Sequence, residues 1–226
     1  MTTLSSNEPQ TRADAATFDN GRRGRFNAWF FTAFDGYVNH VARRHKRHAF
    51  ADMSPGTIVE IGAGVGANFD HLPAGSRVVA IEPNLAMHGG LLRRAAERDI
   101  ALELVATDAG RLPLVDDSVD DVMCSLVLCT VADPEAVLAE IRRVLRPGGR
   151  FRFVEHVAAP AWSPRHWLQH AIRRPWSWIY EGCDLCRDTA STIERAGFTD
   201  VDVSRRRFRH SCFVPVNTAI HGIATN

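Results

Sequence analysis

Val59-Glu60-Ile61-Gly62-Ala63-Gly64-Val65-Gly66 is the stretch on which the fold turns. It reads as an apolar strand over 57–62 that runs into a glycine-rich turn, with a helix starting over 65–72. Glycines at such a turn let a ligand reach the backbone with no Cβ in the way. The third glycine follows the second by two residues, which is not the dinucleotide spacing, and a tight packing turn uses the same residues. Glu82 sharpens the reading. It stands twenty residues after Gly62, at the end of a second strand over 77–82, where a carboxylate accepts hydrogen bonds from ribose hydroxyls.

The same alternation extends downstream. A helix is expected over about 85–98, a strand over 102–107, and a long buried strand over the apolar run 121–131. A helix over 134–145 is stopped by Arg146-Pro147-Gly148-Gly149. A strand over 151–157, a helix over 188–196 closed by Gly197, and strands over 200–208 and 212–220 complete the chain. Strands alternating with helices imply a parallel sheet covered on both faces, a doubly wound α/β domain over 23–226. Upstream, Phe26, Trp29, Phe30, Ala33, Phe34, Tyr37, Val38 and Val41 form one apolar stripe. That stripe predicts an N-terminal helix over 25–48, serving as core packing, as a substrate lid or as a membrane-surface helix, with Arg43 to His48 as a solvated basic end. Residues 1–22 are polar and aperiodic and are expected to be a disordered tail. The segment 158–187 is read as an insert, because its Trp- and Pro-rich part, 161–182, breaks the alternation.

Composition narrows the class. The 226 residues suit one domain, and 45% hydrophobic with 23% charged residues is ordinary for a soluble globular chain. A formal net charge of +1 gives no global attraction to nucleic acid. Five cysteines are an odd number, two of them in an apolar run, which suits a reducing compartment. No transmembrane run or secretory signal is apparent, so a cytoplasmic location is expected.

The residues that carry chemistry gather at the carboxyl edge of the expected sheet. Glu60 could accept from a ligand's amino group or cap nearby N–H groups. Thr107-Asp108-Ala109 ends the third strand, where an acid can meet an adenine amino group, and Leu126 and Val127 are candidates to wall a ligand. His156 closes the fifth strand beside Glu155 and is the candidate general base, or else a histidine bonded to a neighbouring loop.

Taken in order, VEIGAGVGANF (59–69), AIEPN (80–84), the run 106–131 and EIRRVLRPGGRFRFVEHV (140–157) resemble the class I methyltransferases. FVEHVAAP (153–160) and IYEGCDLCRDTASTIERAGF (179–198) extend the resemblance to the thiol S-methyltransferase branch of the methyltransferase-like proteins. The resemblance implies a Rossmann-like, seven-stranded, mostly parallel sheet with its last strand antiparallel. It implies S-adenosylmethionine as cofactor, at Gly62, Ala63, Gly64, Asn68, Glu82, Pro83 and Asn84, with Asp108 and Ala109 near the adenine. It implies methyl transfer to a small, largely apolar acceptor, a thiol in that branch. Carbon, oxygen or nitrogen acceptors such as a quinone, a lipid headgroup or a secondary metabolite share the same cofactor motifs, and a non-catalytic cofactor binder is the reading from another class. Cys183 and Asp184 then fall over the acceptor, and Tyr37, Cys129, Glu155 and Trp162 complete the candidate pocket. Two departures stand out: members of the branch carry a hydrophobic N-terminal anchor where this chain is polar, and Cys186 is unexpected. Cys183-Asp184-Leu185-Cys186 is a single pair with no second one, so no metal is expected. The expected partner is the small-molecule acceptor, with no nucleic acid; peripheral membrane contact and oligomeric state stay open.

Overall fold

The computed structural model describes residues 21–53, 56–208 and 211–226. The long helix α1 (Arg22–Ala49) precedes an alternating series: β1 (Thr57–Ile61), β2 (Arg77–Ile81), α2 (Leu85–Glu97), β3 (Ala101–Val105), β4 (Val119–Ser125), α3 (Pro134–Val144), β5 (Leu145–His156), α4 (Pro164–Ile179), α5 (Thr189–Arg195), β6 (Asp200–Arg207) and β7 (Thr218–Thr225). The seven strands form one sheet in the order β3-β2-β1-β4-β5-β7-β6. β1 to β5 pair in parallel, and β7 lies antiparallel to both β5 and β6. The strand order reverses between β1 and β4, and open α/β sheets bind ligands in the crevice at that switch point.

Side chains alternate along each strand, so each strand feeds both faces. Val59, Ile61, Val122, Cys124, Phe151 and Phe153 join α3 and α5 in the larger core. Ile58, Met123 and Val154 point the other way, into a core closed by Ala42, Ala49 and Phe50 from the end of α1. Arg152 locks that second face. It is wholly buried, pairs with Asp121 at 2.5 Å, and donates to the carbonyls of Ala49 and Ala51 at 3.1 and 2.6 Å. The guanidinium fork thereby fastens the C-terminus of α1 to β4 and β5.

The structure revises several sequence readings. Residues 65–72 do not form an α-helix; they make turns and a 3-10 turn at Phe69–His71. Gly66 at φ +82° interrupts the run, and the carbonyl of Ala67 and the side chain of Asn68 bond to Lys46 and Glu60 from outside the segment. The strand expected over 121–131 ends at Ser125, where Leu126 takes φ +62°. β5 starts earlier than residue 151, at Leu145, and takes in the whole Arg146–Gly149 stretch. The 161–182 insert is mostly helix: Ser163 caps α4, Pro164 occupies its first turn, and Pro175 is accommodated inside it. The last strand starts at Thr218, not at residue 212, because Val214–Val216 with Pro215 fold into a 3-10 turn. The basic end of α1 is only partly solvated, since His45 and Lys46 are buried. The disordered-tail expectation falls outside the described residues except at Gly21 and at Arg22, where α1 already starts. Among the described residues no helix is long and apolar enough to cross a membrane.

Replacing Arg152 by Met should cost about 3–5 kcal/mol in urea denaturation, because Asp121 is left buried and unpaired. Adding Asp121→Leu should restore most of it. A single-variant loss under 1 kcal/mol would count against this anchor.

Candidate active site

A cavity of about 750 Å³ opens at the switch point, within the ~300–1,000 Å³ of ligand pockets. One end is built by the turn after β1. Gly62 (φ +62°) has no room for a side chain, since a Cβ there would lie 2.5 Å from Val127 Cγ2. At Gly64 (φ +58°) a Cβ would come no nearer than 3.7 Å to Met87 Sδ, so the φ and not space calls for glycine, and its N–H donates to Glu82 Oε2 at 2.7 Å. The other Glu82 oxygen accepts from Asn84 N, also at 2.7 Å. The two N–H groups aim the carboxylate along the cavity wall, and each oxygen keeps a lone pair for a hydroxyl. Burial pushes the Glu82 carboxyl up to about 7, against the pull of those two N–H groups. Asn84 caps α2 through Ala86 N and also reaches the carbonyl of Gly24 in α1. Asp108 caps its own turn through one oxygen, which accepts from Gly110 N at 2.7 Å, and it borders the cavity.

Gly62, Ala63, Gly64, Asn68, Glu82, Pro83, Asn84, Asp108, Ala109, Leu126 and Val127 all line this cavity, while Thr107 does not. Glu60 is set behind the wall. It is fully buried, accepts from Asn68 Nδ2 at 2.8 Å, and burial pushes it up to about 7. Its Oε2 and the Oδ1 of Asn68 have no partner. An open glycine edge, a buried acid ready for hydroxyls and an acid at the third strand suit a nucleoside sulfonium, and these residues fit S-adenosylmethionine.

The far end of the cavity holds Cys129, His156 and Cys183. His156 Nε2 lies 3.0 Å from Cys183 Sγ, and the indole N–H of Trp176 reaches the same sulfur at 3.3 Å. A hydrogen bond from Cys129 brings the Cys183 thiol down to about 4; burial opposes this and His156 assists it. Burial resists charge on His156, but the facing sulfur outweighs it and raises the imidazole. Cys129 is pushed up by the same partnership. Phe30, Phe31, Tyr37 and Val38 of α1, Trp176 of α4, Tyr180 just after it, and Phe213 roof the space. Tyr37 Oη accepts from Cys212 N at 2.6 Å, closing the roof between the two ends of the chain.

Three residues expected in the acceptor pocket lie elsewhere. Trp162 is 84% exposed and packs on Trp167. Glu155 is buried behind the wall, accepting from the N–H groups of Val127, Leu128 and Cys129. Asp184 turns outward to a bidentate pair with Arg173. Cys186 does not join Cys183; its sulfur lies 3.5 Å from His170 Nδ1. Lys46 was missed. Buried and lining the cavity, it donates to Asn39 Oδ1 at 2.6 Å, and burial pushes it down to about 8 while Glu60 pulls it back. Asp35, Asn39 and Lys46 form a polar row beside the apolar stripe of α1, the one sign of it in the sequence.

The fold and this cavity define a class I S-adenosylmethionine-dependent methyltransferase. A methyltransferase-domain family model matches residues 59–153. Human thiol S-methyltransferase TMT1A is 36% identical over 181 residues, 76% of this chain and 74% of that protein. Human thiol S-methyltransferase TMT1B is 41% identical over 152 residues, covering 66% and 62%. The chain belongs to the thiol S-methyltransferase family. Among solved structures, a Haemonchus contortus phosphoethanolamine N-methyltransferase bound to S-adenosylhomocysteine superposes with a TM-score of 0.65 at 14% identity, over 94% of this chain and 60% of that one.

Glu82→Ala should weaken S-adenosylhomocysteine binding by about 1.5–3 kcal/mol, read by calorimetry. Hydroxyl recognition needs the carboxylate, so wild-type affinity should fall as pH drops through about 7. That slope should be absent in the variant. Equal affinities for both proteins across pH 6 to 8 would remove Glu82 from the site.

Proposed function

We propose that this chain transfers the methyl of S-adenosylmethionine to the sulfur of a small, largely apolar thiol. The observation that carries the reading is one aromatic-roofed cavity running from Glu82 to the sulfur-rich end at His156, in a chain 36% identical to a thiol S-methyltransferase. The cofactor supplies a methyl group already activated on a sulfonium. Glu82 would hold its ribose, the Gly62–Gly64 turn would give it backbone access, Asn68, held by Glu60 from behind the wall, would stand near its amino group, and Asp108 would stand by its adenine. α1 and Trp176 exclude water and leave the acceptor a slot aligned with the methyl, where positioning does most of the work. A free thiol has a pKa of about 8.5 and is only a few per cent thiolate at neutral pH, so activation of the acceptor is the remaining task. His156 takes that role together with Cys183, since its Nε2 faces that sulfur.

The enzyme works in a reducing compartment, consistent with its five free thiols, and we place it in the cytoplasm. It touches a membrane surface peripherally: Trp167 and Trp178 share one exposed face of α4, and Arg23 lies 5.9 Å over Trp178. Trp167→Ala with Trp178→Ala should cut sedimentation with anionic vesicles without changing transfer to a water-soluble thiol; unchanged sedimentation would refute the contact.

His156→Ala should lower turnover on an alkyl thiol by about 10²–10⁴-fold. It should cost far less on an aryl thiol already ionised at the assay pH. Equal losses on both would make His156 a structural residue. Transfer to phenols or amines with none to any thiol would overturn the sulfur assignment.

A further inference from the structure

We propose that Cys129, His156 and Cys183 form a Cys2His site for a soft divalent ion such as Zn2+, with its fourth position open to the cavity for the acceptor thiol. The proposal rests on the thiol reading for its fourth ligand but not for its three protein ligands.

The three ligand atoms lie within 4.8 Å of one another. They come from three separate segments: the loop after β4, the last residue of β5, and the loop between α4 and α5. All three residues are buried, and all three border the cavity. Tetrahedral zinc with Zn–S of about 2.3 Å and Zn–N of about 2.0–2.1 Å sets S···S near ~3.8 Å and S···N near ~3.6 Å. Cys183 Sγ and His156 Nε2 stand 3.0 Å apart, so the ion enters if that gap opens by roughly half an ångström, a small side-chain adjustment. Two thiolates and a neutral imidazole exactly balance a divalent charge, so the buried site carries no net charge. The Trp176 N–H on Cys183 Sγ fixes a ligand sulfur from outside, as the partners of metal ligands do. Zinc sites that do chemistry have three protein ligands and one open position, and here the open side is the reaction cavity.

At this site His156 serves activation of the acceptor as a ligand of the ion and not as the proton acceptor. A thiol that coordinates such an ion is deprotonated outright, its proton leaving to water. The thiolate sulfur then forms a bond to the methyl carbon as the carbon–sulfonium bond breaks, and that bonding pair stays on the departing thioether sulfur. The product is a neutral methyl thioether, a weaker ligand than the thiolate, and it leaves the position free. The pair suggested by the sequence, Cys183 with Cys186, is not the site, since Cys186 lies against His170.

The test is Co2+ titration of the full chain after chelation under reducing conditions. One equivalent should bind, with tetrahedral visible bands and thiolate-to-cobalt charge transfer, and Zn2+ should displace it. Cys129→Ser and Cys183→Ser should each lose the charge-transfer band, whereas Cys186→Ser keeps it; circular dichroism and S-adenosylhomocysteine binding verify that each variant is folded. Benzyl thiol should shift the visible bands and benzyl alcohol should not. Chelation should lower thiol transfer at least tenfold, with Zn2+ restoring it. No stoichiometric uptake by the wild type, or equal loss in Cys186→Ser, would overturn the site. Full-rate thiol transfer by the metal-free enzyme would overturn its role while leaving the thiol reading intact.

Discussion

The side chain of Glu155 receives three backbone N–H groups, those of Val127, Leu128 and Cys129, at 2.8 to 3.4 Å. A strand that ends inside a protein must dispose of its free donors, and here one buried carboxylate from the neighbouring strand takes them all. The loop it grips carries Val127 against Gly62 on the cofactor side and Cys129 against Cys183 on the acceptor side. His156, the next residue of β5, is thereby set at the same depth. Both halves of the site thus depend on one buried carboxyl group that touches neither ligand.

The cover of the site has a comparable economy. The second half of α1 is an ordinary core helix, packed on the sheet and fastened by Arg152 to β4 and β5. Its first half overhangs the crevice with Phe30 and Phe31, and Tyr37 follows just past the midpoint. The choice between core packing and lid, left open by the apolar stripe, has no single answer because one helix of 28 residues does both.

The alternation of strands and helices was legible because each strand is an apolar run bounded by turn residues, and the glycine turn with Glu82 marked the crevice. What escaped the sequence has physical causes. The turn after β1 looked helical by spacing, but its polar groups are served by Lys46 and Glu60, partners remote in sequence. α4 was obscured by two prolines, one at a first turn where proline is welcome and one tolerated inside. Glu155 and Trp162 were placed in the pocket from their position along the chain, whereas the direction of a side chain depends on strand pleat and turn geometry. Lys46 sat in a run of basic residues of which only it and His45 are buried, and only the packed helix shows which of them turn inward.

The hydrogen bond from Cys212 N to Tyr37 Oη spans 175 residues, and it closes the roof over the cavity. During synthesis the glycine turn and the first five strands exist well before the chain reaches that point. The part of α1 that meets Phe213, around Phe30, Phe34 and Tyr37, must therefore wait for that partner until almost the whole polypeptide has been made. The order of events is built into the topology: the sheet can assemble early, but the reaction chamber becomes a closed space only as the last strands dock.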